Sequence, residues 1–276
     1  SKISGEKTRT EEANEKSNGE EPVPLTENTI EIDYLGQQVP DSIPVVFAPG
    51  LISTAADESS FEININGREM IFAREGKIML VTKSDSGWSG PEIAPFSGQY
   101  VDAECCYSPD GMKIFFASRR SLPGAGGTLN TWVSGRQDNS WSQPAPLDSP
   151  FYEKTVHAVS IASSGNIYCS GIDRFVFSNG VYANRSQLQP VIDGSHPFIA
   201  PDESILLFCA PARDRRDTDI YLSRQQEGTW SIPEPLPEHI NTTGMESNPF
   251  ISPDGRFLFF IRNYDVYWTD LKNLKL

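Results

Sequence analysis

The chain has 276 residues, 38% of them hydrophobic, with 37 acidic against 23 basic side chains and a formal net charge of −14. Phosphate backbones would be repelled by such a surface, so nucleic acid is excluded as an expected partner. No apolar run approaches the roughly 18 residues of a membrane-crossing helix, and the chain opens without the charged and apolar regions of a signal peptide.

Residues 1–27 hold 7 acids, 4 bases and almost no large apolar side chains. Such a segment buries too little surface to offset its ordering entropy, so it reads as a flexible tether. Residues 28–276 read as one all-β domain, because 21 glycines and 21 prolines suit many short strands joined by tight turns. Residues 30–40 form a lone predicted strand ahead of the first repeat.

A turn phrase then recurs. It is clean at Ser108-Pro109-Asp110-Gly111 and Ser252-Pro253-Asp254-Gly255. Weaker copies are Asn64-Ile65-Asn66-Gly67, Ala162-Ser163-Ser164-Gly165 and Ala200-Pro201-Asp202-Glu203. The fourth positions are 44, 54, 38 and 52 residues apart, the period of a β-propeller blade. Proline presets the second position of such a turn and glycine tolerates a positive φ later in it. Each turn joins an inner strand to a second strand, predicted at 69–73, 113–117, 166–169, 205–209 and 257–261. Third strands are predicted at 77–82, 131–134, 175–178, 219–223 and 265–269. Polar turns ending in Trp88, Trp141, Trp230 or, in a worn copy, Tyr182 open the fourth, outer strand, and these rings read as blade packing. Cys105, Cys106, Cys169 and Cys209 fall in predicted strands without C-x-x-C spacing and read as buried thiols. The last unit stops at Leu276 without an outer strand. The expected fold is a single five-bladed β-propeller of four-stranded antiparallel blades, its last blade completed by the N-terminal strand at 30–40.

These units resemble the PD40, or WD40-like, repeats of TolB-related propellers. The resemblance rests on the Ser-Pro-Asp-Gly turns, the aromatic strand after them, Asp219-Ile220-Tyr221, Asp265-Val266-Tyr267 and the preamble Phe47-Ala48-Pro49-Gly50, and covers about residues 35–276. It implies a periplasmic or cell-surface binding propeller of the bacterial envelope, whose partner is an envelope protein or a glycan. The tether is similar to the spacer of envelope lipoproteins, which implies a lipid anchor upstream of residue 1. A monomer is expected.

Counting back from each turn's fourth position, positions −9 and −7 open the inner strand and, by simple alternation, point the same way. They are Glu58 and Ser60, Asp102 and Glu104, Val156 and Ala158, Gly194 and His196, and Glu246 and Asn248, with His157 between two of them. Arg74, Arg119, Arg174, Arg213 and Arg262 follow the second strands, each expected to meet an acid opening the third, such as Asp219 or Asp265. The candidate ligand site is therefore Glu58, Asp102, Glu104, His157, His196, Glu246 and Asn248 with Arg119, Arg213 and Arg262. No cofactor motif is present. Crowded carboxylates suit calcium at the channel mouth, with Asp102, Glu104 and Glu246 as ligands; pairing of the same acids to arginine is the alternative. No nucleophile elbow or phosphate loop occurs, so a non-enzymatic binding protein is the leading reading. The other is a carbohydrate-active enzyme, a glycoside hydrolase or a uronate lyase, with His196 as the base.

Overall fold

The computed structural model describes residues 31–122, 129–147, 150–151, 156–212 and 217–274. The expected tether lies outside the described residues. The rest is a five-bladed β-propeller of antiparallel sheets. Inner strands are Glu58–Ile63, Asp102–Tyr107, Val159–Ile161, Ser195–Ile199 and Glu246–Ile251. Second strands are Glu69–Arg74, Lys113–Ser118, Ile167–Cys169, Ile205–Pro211 and Phe257–Arg262, buried on both faces as their continuous apolar runs require. In blade three the third strand is Asp173–Phe175, earlier than the expected 175–178. The worn turn instead makes a separate hairpin, Phe177–Ser178 with Val181–Tyr182.

Ring closure differs in place from the expectation. The last blade takes its outer strand from Val45–Val46, paired antiparallel with Asp265–Asp270, and not from residues 30–40. Phe47 explains the choice. It is fully buried next to the clasp, its ring 5.1 Å from Phe259 and 5.2 Å from both Phe61 and Trp268, and so joins the last blade to the first. The earlier residues contribute an anchor instead: Tyr34, in the short 3-10 turn Tyr34–Gly36, packs on Phe257 and Trp268 and donates to Asp254 at 2.7 Å.

The four buried cysteines are free thiols. Trp141 and Trp230 are buried in apolar clusters that weld blades one to two and three to four.

The two clean turns share one hydrogen-bond pattern. Ser108 Oγ donates to Asp110 Oδ1 at 2.5 Å, the Met112 N–H donates to the same oxygen, and Gly111 closes the turn at φ +69°. Ser252, Asp254 and Gly255 repeat it. The degraded fourth copy puts Glu203 at φ +62°, and its carboxylate accepts from Ser164, Asn166 and Tyr168 of blade three. The surroundings of the two glycines differ. A Cβ on Gly111 would lie 2.3 Å from Asn64, whereas a Cβ on Gly255 meets nothing within 4 Å. Gly255→Ala should therefore cost about 1–2 kcal/mol, the left-handed penalty alone, and Gly111→Ala about 1–3 kcal/mol more. Urea unfolding of both variants checks the order; equal losses would contradict it.

Candidate functional site

The propeller's centre is governed by a left-handed residue repeated in every blade. All five residues at −7 have a left-handed backbone: Ser60 (φ 38°), Glu104 (52°), Ala158 (48°), His196 (50°) and Asn248 (48°). The inner and second strands shift register there in blades one, two, four and five. A bulge breaks the period of two. Positions −9 and −7 consequently do not share a surface, and the expected rim of acids divides into two groups.

The −9 acids turn into the blades, where each is locked by an arginine. Glu58 is fully buried and accepts from Thr54 N–H, Thr54 Oγ1 and Arg74 Nε, the last at 2.8 Å. Glu246 repeats this with Thr242 N–H, Thr242 Oγ1 and Arg262 Nε, again at 2.8 Å. Each arginine also caps carbonyls of the preceding loop, Leu51 and Ile52 in one case, His239 and Ile240 in the other. Asp102 accepts from Ser97 Oγ and from Arg120 Nη1 at 2.5 Å. The partner is thus Arg120, buried, and not the expected Arg119, which is exposed. Arg262 meets Glu246 and not Asp265. In blade three Asp173 pairs with Arg185 at 2.6 Å, while Arg174 lies beside Tyr168. Blade four has Gly194 at −9, where a Cβ would lie 2.5 Å from Phe208. Arg213 lies outside the described residues.

The −7 residues face the channel and plug it. His196 Nε2 donates to Glu104 Oε1 at 3.2 Å, and Asn248 Nδ2 donates to Glu104 Oε2 at 2.8 Å, joining blades two, four and five. The void left among them is about 30 Å³, space on the scale of a single water. Burial opposes charge on His196, but the Cys209 sulfur and the Glu104 carboxylate outweigh it and push its pKa up to about 10. Burial also opposes charge on Glu104, yet His196 and Asn248 hold its pKa below the usual value. The pair is an imidazolium–carboxylate bridge. His157 is displaced from it, and burial lowers its pKa. His196 Nδ1 lies 3.3 Å from Cys209 Sγ, a relay-like line from thiol to carboxylate. Cys209 is 1% exposed and donates to the Ser195 carbonyl, so no nucleophile is presented.

Among the described residues no group of three or more His, Cys, Asp or Glu is placed to hold a metal ion. Asp102, Glu104 and Glu246 end on separate cationic partners instead of one centre.

The opposite, turn-side face was missed by the sequence reading. Here the channel widens into a funnel of about 830 Å³ with a largely apolar lining that includes Ile63, Ile161, Phe198, Phe250 and Ile251. Its floor is Glu62, at −5, which borders both the funnel and the small void above it. Glu62 Oε2 accepts the Tyr107 N–H of the next blade at 2.7 Å. Burial, only partly countered by that bond, pushes its pKa up to about 8. Asp202, Ser204, Arg256, Asp270 and Lys272 stand about the mouth. The one sequence signal was an acid in the middle of an apolar inner strand, Phe61-Glu62-Ile63.

No family model and no curated protein matches the chain. Solved propellers are similar in shape. A TolB-type protein from Agrobacterium tumefaciens is 15% identical, with 82% of this chain and 79% of that chain covered and a TM-score of 0.48. TolB from Acinetobacter baumannii is 12% identical, with 79% and 55% covered and a TM-score of 0.48. A gluconolactonase from Xanthomonas campestris is 11% identical, with 84% and 95% covered and a TM-score of 0.45. At these identities and scores no residue's role carries over to this chain.

Two predictions follow from the locks and the plug. Glu246→Leu leaves the partly buried Arg262 without its partner and should cost about 3 kcal/mol, whereas Asp85→Ala, which ends the exposed 3.8 Å contact with Arg68, should cost about 0–1 kcal/mol. Denaturant midpoints separate the two. For the plug, a pKa raised in the folded state means that His196 contributes stability in full below its ordinary value of 6.5 and loses it as pH rises toward about 10. Wild type should lose stability between pH 8 and pH 10 more steeply than His196→Gln, and Glu62, which titrates near 8 in both proteins, cancels in the comparison. Parallel profiles would show that His196 is neutral in the fold.

Proposed function

We propose that this chain is a non-enzymatic binding propeller that takes its ligand in the turn-side funnel. The observation that carries the reading is the funnel itself. It is concave, largely apolar and of the size that holds a small molecule, with a few polar groups at floor and mouth. The repeats' resemblance to envelope propellers supports a periplasmic or cell-surface setting. No helix among the described residues is long and apolar enough to cross a membrane. The isoleucine and phenylalanine lining suits an apolar body better than a glycan.

The acids count against a glycosidase. Such an enzyme needs two carboxyl groups free to act on one bond from roughly 5–10 Å apart. Here Glu58, Asp102 and Glu246 are each held by arginine. A lyase base at His196 would need a neutral imidazole, and Glu104 keeps that ring protonated at neutral pH.

The test fills the funnel. Ile65→Trp/Ile251→Trp places two indoles on its wall. Immobilised full-length protein is offered a library of small apolar molecules, an envelope protein extract and a glycan panel. Wild type should retain ligands that the double variant loses, by about tenfold or more in affinity, with Tyr100→Ala on the far face as an unaffected control. Retention unchanged in the double variant, or turnover of any glycan, would refute this assignment.

A further inference from the structure

Each acid on an inner strand has a cationic partner, with one exception. Glu58 has Arg74, Asp102 has Arg120, Glu104 has His196 and Glu246 has Arg262. Glu62 has only a backbone N–H, and no cationic side chain among the described residues pairs with it. It is also the inner-strand acid that borders the funnel. We infer that the funnel binds a small organic cation, an ammonium or guanidinium carried on an apolar body, with Glu62 as its counter-charge. This deepens the reading of the funnel as the binding site and rests on it.

A carboxylate in an apolar enclosure is costly unless an opposite charge meets it. Where no cation meets Glu62, a proton on its carboxyl avoids the cost. A ligand ammonium that reaches the floor supplies the missing charge, so the proton leaves for solvent and a charge-assisted hydrogen bond replaces it. Glu62 is poised for this because Oε2 is already oriented by Tyr107, leaving Oε1 for the ligand. The apolar wall receives the body. Asp202 at the mouth adds attraction, Lys272 is occupied by Asp41 and Asp270, and Arg256 stacks on Phe257. The net charge of −14 draws cations toward the protein as a whole.

Other titratable groups border Glu62. Cys105, Cys106 and Tyr107 on the neighbouring inner strand are pushed up by burial and keep their protons at neutral pH, and Glu104 is committed to His196 and Asn248. Glu62 is therefore the group at the funnel floor with a proton to release.

Calorimetry with three probes of one shape tests the inference: 1-naphthylmethylammonium, neutral 1-naphthalenemethanol and 1-naphthoate. The full-length protein, Glu62→Gln and Ile65→Trp/Ile251→Trp are each titrated at pH 7 in buffers of different ionisation enthalpy. Wild type should bind the cation about tenfold or more tightly than either other probe and release about one proton on binding. Glutamine is isosteric and keeps an acceptor for the Tyr107 N–H, so Glu62→Gln should fold, lose the preference and release no proton. Proton release by wild type provides a readout that does not depend on any variant. The inference is overturned if the neutral or anionic probe binds as tightly as the cation, if Glu62→Gln keeps the preference, or if no probe binds. Equal binding of all three that the double tryptophan variant abolishes would leave the funnel standing as the site and remove only its taste for cations.

Discussion

The left-handed residue in each inner strand, running from Ser60 round to Asn248, determines what every side chain at the centre can do. An unbulged strand would put −9 and −7 on one surface and crowd four acids, with a histidine, at one rim. The bulge sends the −9 acid into the blade and the −7 side chain into the channel. It also aims neighbouring polar groups at the inner edge of the next blade, where backbone donors would otherwise go unpaired. Ser60 Oγ accepts the Cys105 N–H, Glu62 the Tyr107 N–H and Ser160 Oγ the Ile199 N–H. Holding a residue with a side chain in this conformation costs about 1–2 kcal/mol, and these inter-blade bonds offset it.

Two uses of the carboxylate thus stand side by side. Those at −9 are construction pieces: each ties a strand start, an arginine in or just after the second strand and the loop ahead of the blade into one knot. Their arginines lie over aromatic rings, Arg74 on Phe72 and Arg262 on Phe260 and Tyr267. Removing such an acid harms folding first. Glu62 holds no such knot. A half-buried carboxyl whose pKa is raised by the desolvation it does suffer is a cost that grows as pH rises from its ordinary value toward about 8, because the unfolded chain ionises and the folded one does not. Proteins keep destabilising groups of this kind where activity requires them.

Much of the fold was legible in the sequence because its signals are local. The turn phrase, the aromatic second strands and the missing last strand gave five blades and a ring closed from the N-terminal side. The closing segment was misplaced because residues 30–40 alternate like a strand, whereas Val45–Val46 is too short to register as one. Its selection depends on Phe47 finding a socket between two blades, which is a tertiary fact. The site was less legible for one reason. Simple alternation fails at a backbone turn that leaves no mark in residue type, since Ser, Glu, Ala, His and Asn share no propensity that announces it. The arginine locks were half visible: Thr54 to Glu58 and Thr242 to Glu246 share a spacing, and so do the arginines that follow. Arg120 breaks that spacing, and Arg119 beside it was the natural mistake. Glu62 carried a signal, an acid in an apolar strand, whose weight depended on knowing that the channel opens beneath it.

The anchor made by Tyr34 also fixes the face on which the first described residues meet the disc. Tyr34 reaches Asp254, within the turn whose neighbours Ser252 and Pro253 form part of the funnel wall, and Asp41 meets Lys272 at the funnel mouth. The first described residues therefore leave the disc on its funnel side. A label carried by one of these early residues would therefore report on the funnel side of the disc and not on the plugged end.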